Sequence, residues 1–299
     1  MPRVALVTYD PRPETSYDHG LPVMLDALRA AGAEAEAVFW DDAGVDWGGY
    51  DLAVIRSTWD YSWRVEEFVA WAERCGKATR LANPAEVVRW NTDKRYLGEL
   101  AEAGVPTVPT RYIAPGDDID GLPDDREYVV KPTSGAGSRY VARYGPEQHE
   151  TAVRQIARMH AEGLAAMVQP YMAGIDVGGE RALLYFGGRF LHASRKRAVL
   201  EPGTAFDADK FPHPGLEPWT ATPAELAVAE RALAAVPDGP ELLYARVDLV
   251  DGEDGRPVVM ELELVEPNLF LDLHPRSLPS VVAAVLKAAA GRGASAGHP

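Results

Sequence analysis

The chain has 299 residues, 46% hydrophobic and 25% charged, enough for two or three compact domains with cores of their own. Its formal net charge of -15 argues against nucleic acid and anionic membrane surfaces as partners, because phosphate binding needs a surplus of Lys and Arg on one face. The single cysteine, Cys75, excludes an intrachain disulfide and fits a reducing, cytoplasmic setting.

Val4 to Tyr9 reads as a buried parallel strand rather than part of a signal peptide, and no apolar run reaches the roughly 18 residues of a membrane span. An amphipathic helix follows at Leu21 to Ala30, then strands at Ala35 to Trp40 and Tyr50 to Ser57. Val65 to Cys75 is a helix that Gly76 should stop, with Cys75 half-buried on it, and Thr79 to Asn83 a short strand. Strands alternating with helices predict a small doubly wound α/β domain over residues 1–88. Ligands of such sheets sit beyond the carboxyl ends of the strands, here Thr8 to Asp10 and Arg56 to Tyr61.

The pattern then changes to α+β. A helix is expected over Thr92 to Ala103, followed by strands at Thr110 to Ile113, Glu127 to Lys131 and Arg139 to Tyr144. A helix at Glu147 to Ala161 and a strand at Ala166 to Gln169 complete a second part, 89–172. In a third part, 173–290, Arg181 to Phe186 and Arg189 to Ser194 form a hairpin through Gly187-Gly188. Glu201 to Pro218 reads as a loop and Pro223 to Val236 as a helix. Strands follow at Leu243 to Val250 and Val258 to Val265, and a last helix spans Leu278 to Ala290. Residues 291–299 read as a disordered tail.

There is no G-x-x-x-x-G-K-[ST] loop, no G-x-G-x-x-G after the first strand, no G-x-S-x-G elbow, and no zinc spacing among the seven histidines. The positive signal is a set of pieces in order. Lys94 opens the second part, and Lys131 ends a strand with the small-residue loop Ser134-Gly135-Ala136-Gly137-Ser138 behind it. Such a loop lets backbone N–H groups approach a phosphate chain. Arg246 and Asp248 share one strand face, and Glu261 and Glu263 share a face of the next strand. Three converging carboxylates repel unless a hard cation with oxygen ligands lies between them, and magnesium bridging phosphates is the usual case.

With these pieces the chain resembles the ATP-grasp superfamily, which includes D-alanine–D-alanine ligase, glutathione synthetase and biotin carboxylase. The R-x-D then E-x-N metal pattern of that family is matched by Arg246, Asp248, Glu261 and Glu263. Asp248 and Glu261 lie 13 residues apart (261 − 248), and Glu263 stands where the family has Asn. The resemblance implies an ATP-grasp fold, Mg-ATP with Mn²⁺ as a substitute, and phosphorylation of a carboxylate for attack by nitrogen. By the same resemblance Lys94 and Lys131 bind polyphosphate, Gln169 to Met172 (with Tyr171) form the adenine hinge, and Asp176 or, preferably, Glu180 takes the ribose. Arg181 and Lys196 reach phosphate or acyl phosphate, with Arg246, Lys131 and Arg181 catalytic. The substrate, a small amino acid, is expected against Tyr9, Asp10, Ser57, Thr58, Trp59, Asp60, Glu266 and Asn268; homo-oligomerisation stays open. The chain length, VALVTYDPRPETSYDHG and ELELVEPNLF further resemble the cyclo-ligase family of D-cycloserine biosynthesis, which closes O-ureido-D-serine into a five-membered ring.

Overall fold

The computed structural model describes residues 1–10, 18–135, 140–198, 200 and 215–291. The expectations on Gly137, Ser138, most of the loop from Glu201 and the tail beyond Gly291 fall outside the described residues.

The first part is a parallel sheet in the order β2-β1-β3-β4. It contains β1 (Arg3–Thr8), β2 (Glu34–Phe39), β3 (Leu52–Ser57) and β4 (Leu81–Ala82), flanked by α1 (Gly20–Ala30) and α2 (Val65–Ala78). All of β3 is buried, as expected of a strand covered on both faces. Val4, Leu6, Leu52 and Val54 pack towards Met24 and Leu28 of α1. Ala5, Val7, Ala53 and Ile55 pack against Phe68 and Trp71 of α2. Gly76 does not stop α2: it lacks the positive φ that a glycine stop uses, and the helix runs on to Ala78. Cys75 is wholly buried rather than half-buried.

A short helix not anticipated from the sequence, α3 (Ala85–Asn91), comes next. Its seven residues are too few for a clear helical period. The helix expected from Thr92 begins only at Tyr96 (α4, Tyr96–Glu102), so Lys94 lies in the turn between the two. Two asparagines fasten this connection to the last sheet. The Asn83 side chain donates to the carbonyls of Tyr244 (2.9 Å) and Leu264 (2.7 Å), and Asn91 donates to that of Leu262 (2.8 Å).

The middle part is an antiparallel sheet, β5-β8-β6-β7. It is built from β5 (Arg111–Ile113), β6 (Tyr128–Pro132), β7 (Ala142–Tyr144) and β8 (Ala166–Pro170), with α5 (His149–Ala161) packed on it through Ile156 and Met159. After the short α6 (Gly174–Gly178) comes a five-stranded sheet, β11-β10-β9-β12-β13. Its strands are β9 (Glu180–Phe186), β10 (Arg189–Lys196), β11 (Glu217–Trp219), β12 (Tyr244–Asp251) and β13 (Pro257–Glu263). The β9–β10 turn uses Gly187 and Gly188 at φ 59° and 74°, which only glycine adopts freely. Strand β10 runs two residues beyond Ser194 and sets Lys196 opposite Glu180. Strand β11 forms at the end of the expected loop, with Pro218 on a sheet edge where its missing N–H is tolerated. Helices α7 (Pro223–Ala234), started by a Thr222/Glu225 capping box, and α8 (Leu278–Ala290) complete the chain.

One face of this last sheet packs Leu183, Tyr185, Val247 and Leu262 with Val228 and Ala229 of α7. The other face is divided. Ala182, Leu184, Phe186 and Tyr244 share a core with Leu28, Val54 and Val281, which joins the first sheet to the last. Beyond that core the same face carries charge. No described helix is long and apolar enough to cross a membrane.

Candidate active site

Asp248, in the middle of β12, is completely buried. A lone buried carboxylate is strongly unfavourable; here three donors surround it. Arg246 donates through Nε to Oδ1 (2.9 Å) and through Nη2 to Oδ2 (2.8 Å), and Lys196 Nζ donates to Oδ2 (2.8 Å). Burial raises the Asp248 carboxyl, but Arg246 and Lys196 outweigh it and hold the group well below the usual carboxylate range. The antiparallel register sets Asp248 opposite Glu261 and Arg246 opposite Glu263. Ligand oxygens of Asp248, Glu261 and Glu263 all lie within 4.8 Å of one another. An all-oxygen trio of this kind suits a hard divalent cation. Glu263, where the family pattern has Asn, is paired with Arg246, so the arginine offsets its additional charge. Burial nonetheless pushes the Glu263 carboxyl up to about 8, against the pull of Arg246.

The two lysines converge on this trio, Lys94 from the turn before α4 and Lys131 from the middle sheet. Lys94 Nζ lies 3.3 Å from Glu261 and donates to the Gly135 carbonyl at 2.8 Å. The Lys94 backbone N–H donates to Thr133 (2.7 Å), so the turn before α4 holds the start of the Ser134-Gly135 loop. Lys131, near the end of β6, is buried, and its ammonium has no ion pair or hydrogen bond among the described residues. Burial and the nearby Lys94 lower its affinity for a proton, against the field of Glu261. A buried cation left without a partner by the described residues is poised for an anion. Glu180 pairs with Lys196 beside Asp248, and burial pushes its carboxyl up to about 7.

Arg181 departs from the expectation. Adjacent strand residues face opposite ways, so with Glu180 towards the trio, Arg181 points to the other face. There it is bound to Glu225 of α7 (2.9 Å), the Gly179 carbonyl (2.9 Å) and Asp251, on the face opposite the carboxylate trio. Asp176 also stands apart. It accepts from Tyr171 Oη (2.5 Å) at the surface, whereas Glu180 lies with the site cations. The Gln169 side chain donates to Thr110 (2.9 Å). Tyr171 lies under the Arg143 guanidinium (3.4 Å to the ring centre), and Met172 packs with Val108 and Val250. The hinge is thus a rigid corner between the middle and last sheets.

At the other end, the first sheet meets the turn after β13. Trp59 Nε1 donates to the Glu266 carbonyl (3.4 Å), and Tyr9 packs beside Trp59. Tyr61 is buried near Glu266, and burial together with that charge raises its phenol well above the usual value. The Thr58 hydroxyl is buried without a partner among the described residues, while the Ser57 hydroxyl is engaged with Thr8 (2.8 Å). Two expected substrate contacts are used elsewhere. Asp60 turns towards Trp40 Nε1 (2.9 Å), and Asn268 Oδ1 accepts the Phe270 N–H (2.9 Å) in a turn that holds Phe270 at φ 50°. Asp10 is exposed. Arg56, expected only at a ligand-side strand end, is fully buried and donates to the Pro267 carbonyl (3.2 Å) and Asp18 (3.3 Å), fixing the turn that carries Glu266. Sequence reasoning missed His192 and Ser194, whose signal was polar residues at period two on the strand leading to Lys196.

A five-stranded sheet bearing a carboxylate trio, closed by Lys131 of a smaller antiparallel sheet and by Lys94 of the turn before α4, defines an ATP-grasp enzyme. The crystal structure of D-alanine–D-alanine ligase from Bacillus anthracis superposes with a TM-score of 0.67 at 18% identity, covering 99% of this chain and 100% of that one, a likeness of fold. The family model of the N-terminal domain of D-cycloserine synthetase DcsG matches residues 4–83. Cycloserine biosynthesis protein DcsG of Streptomyces lavendulae is 42% identical over 270 residues, 85% of this chain and 88% of that protein. A crystal structure of D-cycloserine synthetase DcsG superposes with a TM-score of 0.86 at 38% identity, covering 96% of this chain and 99% of that one. The chain belongs to the D-cycloserine synthetase family of ATP-grasp ligases.

Proposed function

We propose that this enzyme closes O-ureido-D-serine into D-cycloserine at the expense of ATP. The observation that carries the reading is the trio of buried Asp248 with half-buried Glu261 and Glu263, ringed by Lys94, Lys196 and Arg246, with Lys131, unpaired among the described residues, beside it. Family membership supplies the substrate. Magnesium, or manganese in its place, fits the all-oxygen trio and would screen phosphate charge there. Lys94 and Lys131 bind the phosphates, the Gln169–Met172 corner takes the adenine and Glu180 the ribose. Arg246 stabilises the charge of the transferring phosphoryl group, which is mostly positioning and electrostatics. Glu266, near Tyr61, receives the substrate ammonium. Residues 1–88, 89–172 and 173–290 act as the three parts of a cytoplasmic enzyme.

The chemistry follows from the leaving group. A free carboxylate would have to expel oxide, and phosphorylation makes that group phosphate. The nitrogen next to oxygen then attacks the acyl carbon. A carbon–nitrogen bond forms, the carbon–oxygen bond to phosphate breaks with its electron pair leaving on phosphate, and the nitrogen gives up a proton. Water afterwards removes the carbamoyl group as carbon dioxide and ammonia. Holding both ends in one site makes ring closure intramolecular, where effective molarities reach about 10⁵ M or more. Incubation with O-ureido-D-serine and Mg-ATP should give one ring per ADP. If no ring forms, and ADP appears only after a second amino acid is added, the enzyme joins two molecules instead.

A further inference from the structure

Ring closure leaves a proton on the attacking nitrogen, and the groups described so far do not take it. The lysines and Arg246 are cationic, Glu261 and Glu263 belong to the proposed cation trio, Glu180 is paired with Lys196, and Glu266 is the proposed partner of the substrate ammonium. Farther along the same sheet face lies a neutral, basic cluster. His192, Ser194 and Lys196 alternate on β10 and point the same way. Ser194, about 7 Å along the strand from Lys196 by strand rise, meets His274 Nε2 at 2.9 Å. His274 also donates its backbone N–H to the Phe270 carbonyl (3.0 Å), and the Phe270 ring lies 5.5 Å from the Arg246 guanidinium. The imidazole thus meets Ser194, two residues before Lys196 on the same strand face, and its backbone is bonded to Phe270, whose ring lies near Arg246.

The second histidine fixes the state of the first. His192 Nε2 contacts the Leu269 carbonyl (2.9 Å), which only accepts, so the proton sits on Nε2 and Nδ1 accepts from the Ser277 hydroxyl (2.8 Å). Its ring stacks on that of His274 at 4.0 Å and 14°. Two stacked imidazoles disfavour a charge on either, and burial acts in the same direction. The other facing charges are Asp272 on the same loop, whose weaker field opposes this, and Arg246 beyond Phe270. His274 Nδ1 carries no hydrogen bond among the described residues.

We propose that His274 is the general base of ring closure: its Nδ1 accepts the proton of the attacking nitrogen, Ser194 orients the ring through Nε2, and His192 holds it by stacking. This rests on the ring-closing reading. The test is His274→Gln, whose amide can keep the Ser194 contact without a basic nitrogen, assayed for both ring product and ADP from O-ureido-D-serine across pH. Ring formation should fall about 100-fold or more, as general-base losses do. ADP release should continue as water captures the acyl phosphate, and the fall in wild-type kcat at low pH should disappear. Ring formation at the wild-type rate, with one ring per ADP and the same low-pH fall, overturns the inference alone. Absence of ring from the wild-type enzyme overturns the ring-closing reading and the inference with it. If His274→Gln does not fold, Ser194→Ala must show the same uncoupling to a smaller degree, and full coupling there overturns the inference.

Discussion

The two faces of the last sheet carry buried charge in opposite ways. On the α7 face, Arg181 is matched by Glu225 and Asp251, with its remaining contact on a backbone carbonyl. On the other face, carboxylates crowd within 4.8 Å and a nearby lysine has no partner among the described residues. The first arrangement is complete without a ligand and serves the fold. The second leaves its charges unmatched among the described residues, as the proposed cation and phosphate sites require. Burial alone does not separate the two, since Arg181 and Asp248 are both nearly inaccessible; what separates them is whether the local charges are matched.

That contrast can be broken from either side. Chelation by excess EDTA should abolish turnover, and Glu261→Gln should cost about 3–4 kcal/mol of transition-state stabilisation, on the scale of other charge-clamp losses, with the melting temperature little changed. Normal kcat/KM in either experiment would sink the cation site. On the matched face, Arg181→Ala should destabilise the protein by about 3–5 kcal/mol in denaturant, because it leaves Glu225 buried and unpaired. The surviving folded fraction should keep its KM for ATP. A raised KM with unaltered stability would return Arg181 to the nucleotide.

Smaller effects sharpen the comparison. Burial and the neighbouring His274 press the His192 pKa down to about 4 from an ordinary 6.5. The unfolded chain therefore binds the proton more readily in that window. Stability should fall as pH drops from 6.5 towards 4, by a few kcal/mol in all, and level off below. A His192→Gln variant whose urea midpoint shows the same decline would assign the proton elsewhere. Smallest is Thr222→Ala at the start of α7, a loss of about 1 kcal/mol from its capping box with catalysis unaltered; a larger loss, or a change in kcat, would tie α7 to the site.

The arrangement of elements was legible because it rests on local pattern. The apolar run of β1, the period-two alternation of Arg246 with Asp248 and of Glu261 with Glu263, and the Gly-Gly hairpin all act within a few residues. Helix α3 escaped notice because Asn83 and Asn91 anchor that connection to strands 161 or more positions away. The start of α4, and with it the place of Lys94, depended on the backbone bond to Thr133.

By itself the sequence determined which residue types could converge, since strand period and residue chemistry are local properties. The tertiary structure decided which of them do. Glu180 and Arg181 are neighbours in the chain, and only the packing of α7 against one face sets one beside the carboxylate trio and makes the other a structural pair. Asp60 and Asn268 stand at suggestive positions but are used by Trp40 and by their own turn. Arg56 and His274 matter only because a first-sheet strand end and a loop far along the chain are brought against the last sheet. Matching of charge is a property of three-dimensional neighbours, and spacing along a chain does not specify them.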